Sequence, residues 1–318
     1  MTTCAALLHL RPPSIIRAEA SRPLRDTRLL RWRQGWAGAG YHRETPTPEV
    51  QTPTMDALVA EGIDLAHSYV FYCCSPTRSS LQSGRNPVHV NVLNADPDIF
   101  NASNPTSGAA GVARNMTGIG TKMAAAGYRT HFVGKWDAGM ATPDHTPRGR
   151  GYHSAMNYFH HANDYWTMKG TGDCDGVEMV DLWVAEDGGA EGPGHGYAST
   201  CSADHNRTSG LGCAPGPKGV QADHGYEDTL FAGRVESILQ SHNPAQPFFI
   251  FWAPHNVHTS LMVPEAYLAK FDFMQPTDKQ GPVWSHDPVD LKAQPNEGHT
   301  RQLYSAMVNF AGALLSCC

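Results

Sequence analysis

Cys74-Ser75-Pro76-Thr77-Arg78-Ser79-Ser80-Leu81-Gln82-Ser83-Gly84-Arg85 is the stretch around which the chain is organised. Ser75 is a good N-cap, and Pro76 suits the first helical position, where a missing N–H costs nothing. Leu81 then faces inward and Gly84 stops the helix. A helix N-terminus presents unpaired N–H groups to an anion, and Arg78 adds a permanent cation in the first turn. Positive charge favours thiolate over thiol, so the stretch reads as a nucleophile beside a tetrahedral-anion site. Taken alone, Cys74 has a competing structural reading, as a packing cysteine or half of a disulfide. A Cys–Arg phosphatase loop is disfavoured, because its arginine lies farther along the chain than Arg78 does from Cys74.

Working outward, Thr52-Pro53-Thr54-Met55-Asp56-Ala57-Leu58 opens a helix that Gly62 ends, with Met55, Leu58 and Val59 on its apolar face. Ile63 to Phe71 reads as a short strand that delivers the chain to Cys74. Strand, loop and helix in that order place a reactive group at the carboxyl end of a sheet. Further on, Thr117 to Ala126 reads as a helix closed by Gly127, and Arg129 to Trp136 as a strand ending at Lys135. Residues 153–225 are irregular and rich in Gly, His, Asp and Asn, with a short strand expected over Val177 to Val184. The His160-His161 pair is read as solvated rather than as a metal site. Tyr226 to Gln240 is an amphipathic helix with Leu230, Phe231, Val235, Ile238 and Leu239 on one face. Pro247-Phe248-Phe249-Ile250-Phe251-Trp252-Ala253 is a continuous apolar run, the signature of a buried parallel strand. Residues 275–299 form a polar loop, and Arg301 to Leu315 a last helix with Leu303, Met307, Phe310 and Leu314 facing inward.

Three motifs give the chain a family resemblance. The stretch at Cys74 resembles the sulfatase signature C-x-P-[ST]-R followed by an apolar residue and [ST]-G-R, with Gln82 where an apolar residue is usual. Gly127-Tyr128-Arg129-Thr130-His131-Phe132-Val133-Gly134-Lys135-Trp136 resembles the second signature, G-Y-x-T-x-x-x-G-K-W. The strand that leads to His255-Asn256-Val257-His258 and then to Val263-Pro264-Glu265-Ala266-Tyr267 resembles the arylsulfatase x-V-H and V-P-E-x-Y pattern. The resemblance covers roughly residues 35–310. It implies an α/β fold, a mixed and largely parallel sheet flanked by helices, alkaline-phosphatase-like, with the C-terminal part missing. Residues 1–34 are then a basic, poorly ordered leader, and 35–318 a partial sulfatase catalytic domain.

The resemblance also implies a chemistry. Cys74 is oxidised by a formylglycine-generating enzyme, and the aldehyde hydrate is the nucleophile toward a sulfate ester. Arg78 holds the hydrate, while Lys135 and His258 bind sulfate oxygens or protonate the leaving alcohol. The family continues K-W-H where this chain has Asp137, and His145 is a candidate to reach in as a substrate-binding replacement. Asn163-Asp164-Tyr165-Trp166 resembles a substrate-side loop. A calcium ion is implied as well, bound in part by the residue derived from Cys74. The carboxylate pair that should precede x-G-W is replaced by Trp32 and Arg33, and the later Asp-Asn pair would lie beyond residue 318. The rival readings are a phosphate or phosphonate ester hydrolase of the same superfamily, and an inactive truncated chain without the metal site.

Composition narrows the partners. Lys+Arg 24 against Asp+Glu 30 gives a net charge of −6, which implies no general affinity for nucleic acid. No apolar run has the length of a membrane span. The partner expected by resemblance is a sulfated small molecule or glycan. The eight cysteines form no C-x-x-C, and no H-E-x-x-H occurs, so a standard zinc site is not signalled. Cys174, Cys201 and Cys213 share one Gly-rich insertion. Sequons at Asn101, Asn115 and Asn206 mark a glycoprotein and lean toward the secretory route, lysosomal or extracellular by resemblance. The N-terminus is no convincing signal peptide, because Ala5 to Leu10 is short and the arginines follow it.

Overall fold

The computed structural model describes residues 38–65, 67–94, 111–166, 168–170, 180–185, 225–259, 261–274 and 300–317, a few positions between 99 and 107, and the backbone of strands at 2–6, 27–31 and 196–197. The strands are β1 (Thr2–Ala6), β2 (Thr27–Arg31), β3 (Arg129–Lys135), β4 (Ser154–Tyr158), β5 (Trp183–Ala185), β6 (Gly196–Tyr197) and β7 (Phe248–Ala253). The α-helices are α1 (Pro53–Glu61), α2 (Cys74–Ser83), α3 (Ile119–Ala125), α4 (Glu227–Ser241), α5 (Glu265–Leu268) and α6 (Thr300–Leu314).

The main sheet runs β6-β5-β4-β3-β7. β3 pairs in parallel with both β4 and β7, and β5 and β6 continue the sheet antiparallel. This is the mixed, largely parallel α/β sheet flanked by helices that the sequence predicts. β7 is buried at all six positions, because both faces of the sheet are covered. Its side chains alternate. Phe248, Ile250 and Trp252 meet Phe231, Val235 and Ile238 of α4 and Leu303, Met307 and Phe310 of α6. Phe249 and Phe251 meet Phe132, Trp136 and Tyr152 on the other face, where Ile119 and Met123 of α3 and Leu81 of α2 close the layer.

Several local expectations change. Ile63 to Phe71 forms no strand, and Ile63, Leu65 and Tyr69 are exposed. Among the described residues no strand lies beside it to take its backbone hydrogen bonds, and an unpaired strand has nothing to hold it extended. Helix α2 starts at Cys74 with Cys73 as its N-cap, two residues earlier than the expected cap Ser75. Helix α3 starts at Ile119, after Gly118, rather than at Thr117. The strand expected over Val177 to Val184 is β5 at Trp183–Ala185, and residues 171–179 lie outside the described residues. Within residues 1–34, β1 and β2 pair antiparallel and β1 lies against β7. The Gly-rich insertion with Cys174, Cys201 and Cys213, the polar stretch 275–299, and Asn206 lie outside the described residues.

Gln82, the departure inside the Cys74 motif, is buried and accepts a hydrogen bond from Tyr152 Oη at 2.8 Å. Tyr152→Phe is expected to cost about 1–3 kcal/mol, because it strands a buried acceptor. Pairing Tyr152→Phe with Gln82→Leu should recover most of that loss. A double-mutant cycle in denaturant unfolding reads the difference, and strict additivity of the two changes would contradict the account.

Candidate active site

The carboxyl end of β3 carries the site. Gly134 has a φ of 102° and its α-carbon faces the Ala253 carbonyl so closely that a β-carbon would lie 2.0 Å from that oxygen. Only glycine lets β3 and β7 close up there, one residue before Lys135. Lys135 is the last residue of β3 and is buried. The N-terminus of α2 meets the same end of the sheet. Arg78, also buried, donates from Nη1 to the Lys135 carbonyl at 2.6 Å, which ties the first turn of α2 to the end of β3.

Asp137 is the hub. It is fully buried and sits at a φ of 46°, a conformation that few non-glycine residues adopt. Ser75 Oγ donates to Oδ1 at 2.6 Å. Lys135 Nζ lies 3.2 Å and His161 Nδ1 3.1 Å from Oδ2. Lys135 Nζ also donates to the His161 carbonyl. Burial alone would push the Asp137 carboxyl up, but the Lys135 ammonium, His161 and the Ser75 hydroxyl outweigh it and hold the carboxyl at about 2. Starting α2 at Cys74 puts Ser75 inside the first turn, so its hydroxyl turns to Asp137 instead of capping the helix. Cys74 is buried, and its sulfur, a carboxylate oxygen of Asp137 and a ring nitrogen of His161 all lie within 4.8 Å of one another.

Beyond β7 the chain forms a second buried network. Glu227 Oε2 is 2.9 Å from His255 Nδ1, and Asn163 Nδ2 donates to Glu227 Oε1 at 2.6 Å. Asp228 accepts from the backbone N–H of His255 at 2.7 Å and of Asn256 at 2.8 Å. His258 donates its backbone N–H to Tyr165 Oη at 3.1 Å, and its Nδ1 faces the Thr259 carbonyl. Burial, reinforced by the Lys135 charge, holds both His255 and His258 well below the usual histidine range, so both are neutral imidazoles at pH 7.

Burial lifts Asp228 to about 6, although the N–H groups of His255 and Asn256 pull it down. A carboxyl raised on folding stabilises the fold fully below its unfolded value of 3.8, and that contribution is lost as pH rises through about 6. Stability is therefore expected to fall by on the order of 3 kcal/mol from this group between about pH 4 and pH 7. Asp228→Asn should flatten that part of the profile in urea titrations, and an unchanged slope would contradict the assignment.

The structure thus brings Cys74, Arg78 and Lys135 to one end of the sheet, with the Lys135 charge felt at His258. It does not bring His145 there. His145 Nδ1 is 2.8 Å from Thr142 Oγ1 in its own loop, and Nε2 is 3.2 Å from the Ser107 carbonyl of an earlier loop, so both ring nitrogens are engaged there. The residue that stands beside Asp137 is His161, against the expectation of a solvated pair. It lies just past the end of β4, the parallel neighbour of β3, in a stretch the sequence marks only as irregular, so no local signal pointed to it. Asp137 does not leave a bare negative charge, because Lys135 neutralises it. The calcium implied by resemblance does not fit the residues described. Calcium takes about six to eight oxygen ligands. Asp137 supplies the one carboxylate in the group around Cys74, too few oxygens for such a shell.

Comparison with known proteins places these features in a wider set. The sulfatase family model matches residues 31–314. Mouse (Mus musculus) arylsulfatase J is 29% identical over 243 residues, which are 75% of this chain and 33% of that protein. Mouse N-acetylgalactosamine-6-sulfatase is 30% identical over 144 residues, 44% of this chain and 27% of that protein. The chain thus spans about a third or less of these relatives. Among solved structures, Ps i-CgsB in complex with k-i-k-neocarrahexaose superposes with a TM-score of 0.56 at 18% identity, over 89% of this chain and 51% of that one. The PsFucS1 sulfatase from Pseudoalteromonas sp. superposes with a TM-score of 0.51 at 17% identity, over 83% of this chain and 46% of that one. At such identities the likeness is one of fold.

Proposed function

The chain belongs to the sulfatase family, and from that premise we propose that the protein it represents hydrolyses sulfate esters with a nucleophile made from Cys74. The observation that carries the proposal is the position of Cys74, buried at the N-terminus of α2 against the end of β3 where Lys135 and Arg78 gather. Converted to formylglycine, Cys74 would supply a hydrated aldehyde, one hydroxyl of which attacks sulfur while the other later expels sulfate.

The chain's own residues do the rest. Arg78 is tied by Nη1 to the Lys135 carbonyl, so its guanidinium is held beside the end of β3. The Lys135 ammonium is the cation for sulfate oxygens, and Asp137 sets its direction. His258, neutral and buried, offers an imidazole to the ester oxygen or to sulfate. Glu227 orients His255, whose Nε2 has no hydrogen-bond partner among the described residues and is left for a bound group. No step is derived through calcium, which the described residues do not hold.

The substrate we propose is a sulfated glycan or small sulfated molecule, and the modifying partner is a formylglycine-generating enzyme. A secretory route, lysosomal or extracellular, suits the sequons. Asn101 and Asn115 are both exposed, and Asn101 Oδ1 caps the backbone N–H of Ser103 at 3.1 Å. No helix among the described residues is long and apolar enough to cross a membrane.

Rates on aryl sulfate and aryl phosphate test the reaction class. A kcat/KM at least about ten times higher for the sulfate supports the proposal. A preference for the phosphate makes the chain a phosphoester hydrolase instead. Failure on both, with formylglycine present at Cys74, removes the catalytic reading.

A further inference from the structure

Cys74, Asp137 and His161 converge from three elements. Cys74 opens α2, Asp137 follows β3 and His161 follows β4. They offer one sulfur, one carboxylate oxygen and one imidazole nitrogen within 4.8 Å of one another. That donor set is wrong for calcium, which takes oxygen, and right for zinc, which takes thiolate, imidazole and carboxylate in a tetrahedron. At ordinary zinc bond lengths two N/O donors on one ion stand roughly 3.3 Å apart. His161 Nδ1 and Asp137 Oδ2 already stand 3.1 Å apart. Asp137 Oδ1 is held at 2.6 Å by Ser75 Oγ, the kind of outer support that fixes a ligating carboxylate.

We propose that the chain, in the form that keeps Cys74 as a cysteine, binds one zinc-class divalent cation through Cys74 Sγ, Asp137 Oδ2 and His161 Nδ1. The fourth position is left to water. The thiol proton leaves to solvent on binding, and His161 binds through Nδ1 as the neutral tautomer that carries its ring proton on Nε2. Lys135 opposes the metal, since its Nζ lies 3.2 Å from the same oxygen. The site depends on unmodified Cys74 and not on sulfate-ester hydrolysis. Oxidation to formylglycine removes the sulfur ligand, so metal capture and the modified nucleophile exclude each other in one molecule.

Cobalt(II) titration of the full chain, made without a formylglycine-generating enzyme, tests this. One equivalent should give a thiolate-to-cobalt band in the near ultraviolet with intense tetrahedral d–d bands, both removed by added zinc. Cys74→Ser and His161→Ala should each weaken cobalt binding by about 100-fold or more. Cys73→Ser should leave it unchanged, and so separates this site from the neighbouring thiol. Chain carrying formylglycine at Cys74 should lack the thiolate band, a control that needs no substitution. No such band in the unmodified chain, or a band that survives in Cys74→Ser, overturns the proposal. Neither outcome bears on aryl sulfate hydrolysis, which is measured separately.

Discussion

Cys74→Ala is expected to lower kcat/KM for an aryl sulfate by on the order of 10⁴-fold or more, because it removes the atom that becomes the nucleophile. The fold should survive. Arg78 still ties α2 to the Lys135 carbonyl and Ser75 still ties it to Asp137, so the helix mouth keeps its place without the sulfur. Cysteine to alanine removes one buried atom, a cost on the order of 1 kcal/mol. Cys74→Ser should be equally inactive, since a hydroxyl at that place cannot become the same aldehyde by thiol oxidation. Kinetics on aryl sulfate paired with a thermal midpoint check both halves. Activity retained in either variant would place the nucleophile elsewhere.

Lys135→Met is expected to be the most destabilising single change at the site, by about 3–5 kcal/mol. Asp137 is fully buried, and Lys135, itself 1% exposed, sets its amino group 3.2 Å from Oδ2. Without the ammonium, the Ser75 hydroxyl and the His161 ring must carry a buried carboxylate alone. Turnover of aryl sulfate should fall as well, because the same ammonium is the proposed sulfate contact. Asp137→Asn in the Lys135→Met background should recover stability but not activity, since it removes the stranded charge and leaves the sulfate contact missing. Denaturant midpoints with aryl sulfate rates separate the two roles. Equal stability of Lys135→Met and the unaltered protein would contradict the buried-pair account.

What the sequence revealed and what it withheld follow from local and non-local physics. Phe248–Ala253 announced a buried parallel strand because an apolar run of that length has no other place to go. Helix α2 was legible from Pro76 and Gly84, whose backbone demands are local, and Gly84 indeed takes a φ of 69°. The strand expected over Ile63 to Phe71 rested on residue preference, and strands need partners that preference does not supply. Asp137 looked like an unwanted charge because its compensation by Lys135 and by His161, past the neighbouring strand, exists only once β3 and β4 lie side by side. His145 was a reasonable candidate by nearness in sequence, yet Thr142 of its own loop and the distant Ser107 carbonyl engage its two ring nitrogens. The Glu227, Asp228 and His255 network had no local signature, since it joins the start of α4 to the end of β7.

The central claim is that Cys74 is the precursor of an oxidised nucleophile in a sulfatase site. Mass spectrometry of the Cys74 peptide from chain made alongside a formylglycine-generating enzyme tests it most directly. The account predicts a substantial fraction of peptide with the mass expected when CH₂SH is replaced by an aldehyde. An unmodified thiol in all of the peptide would contradict it.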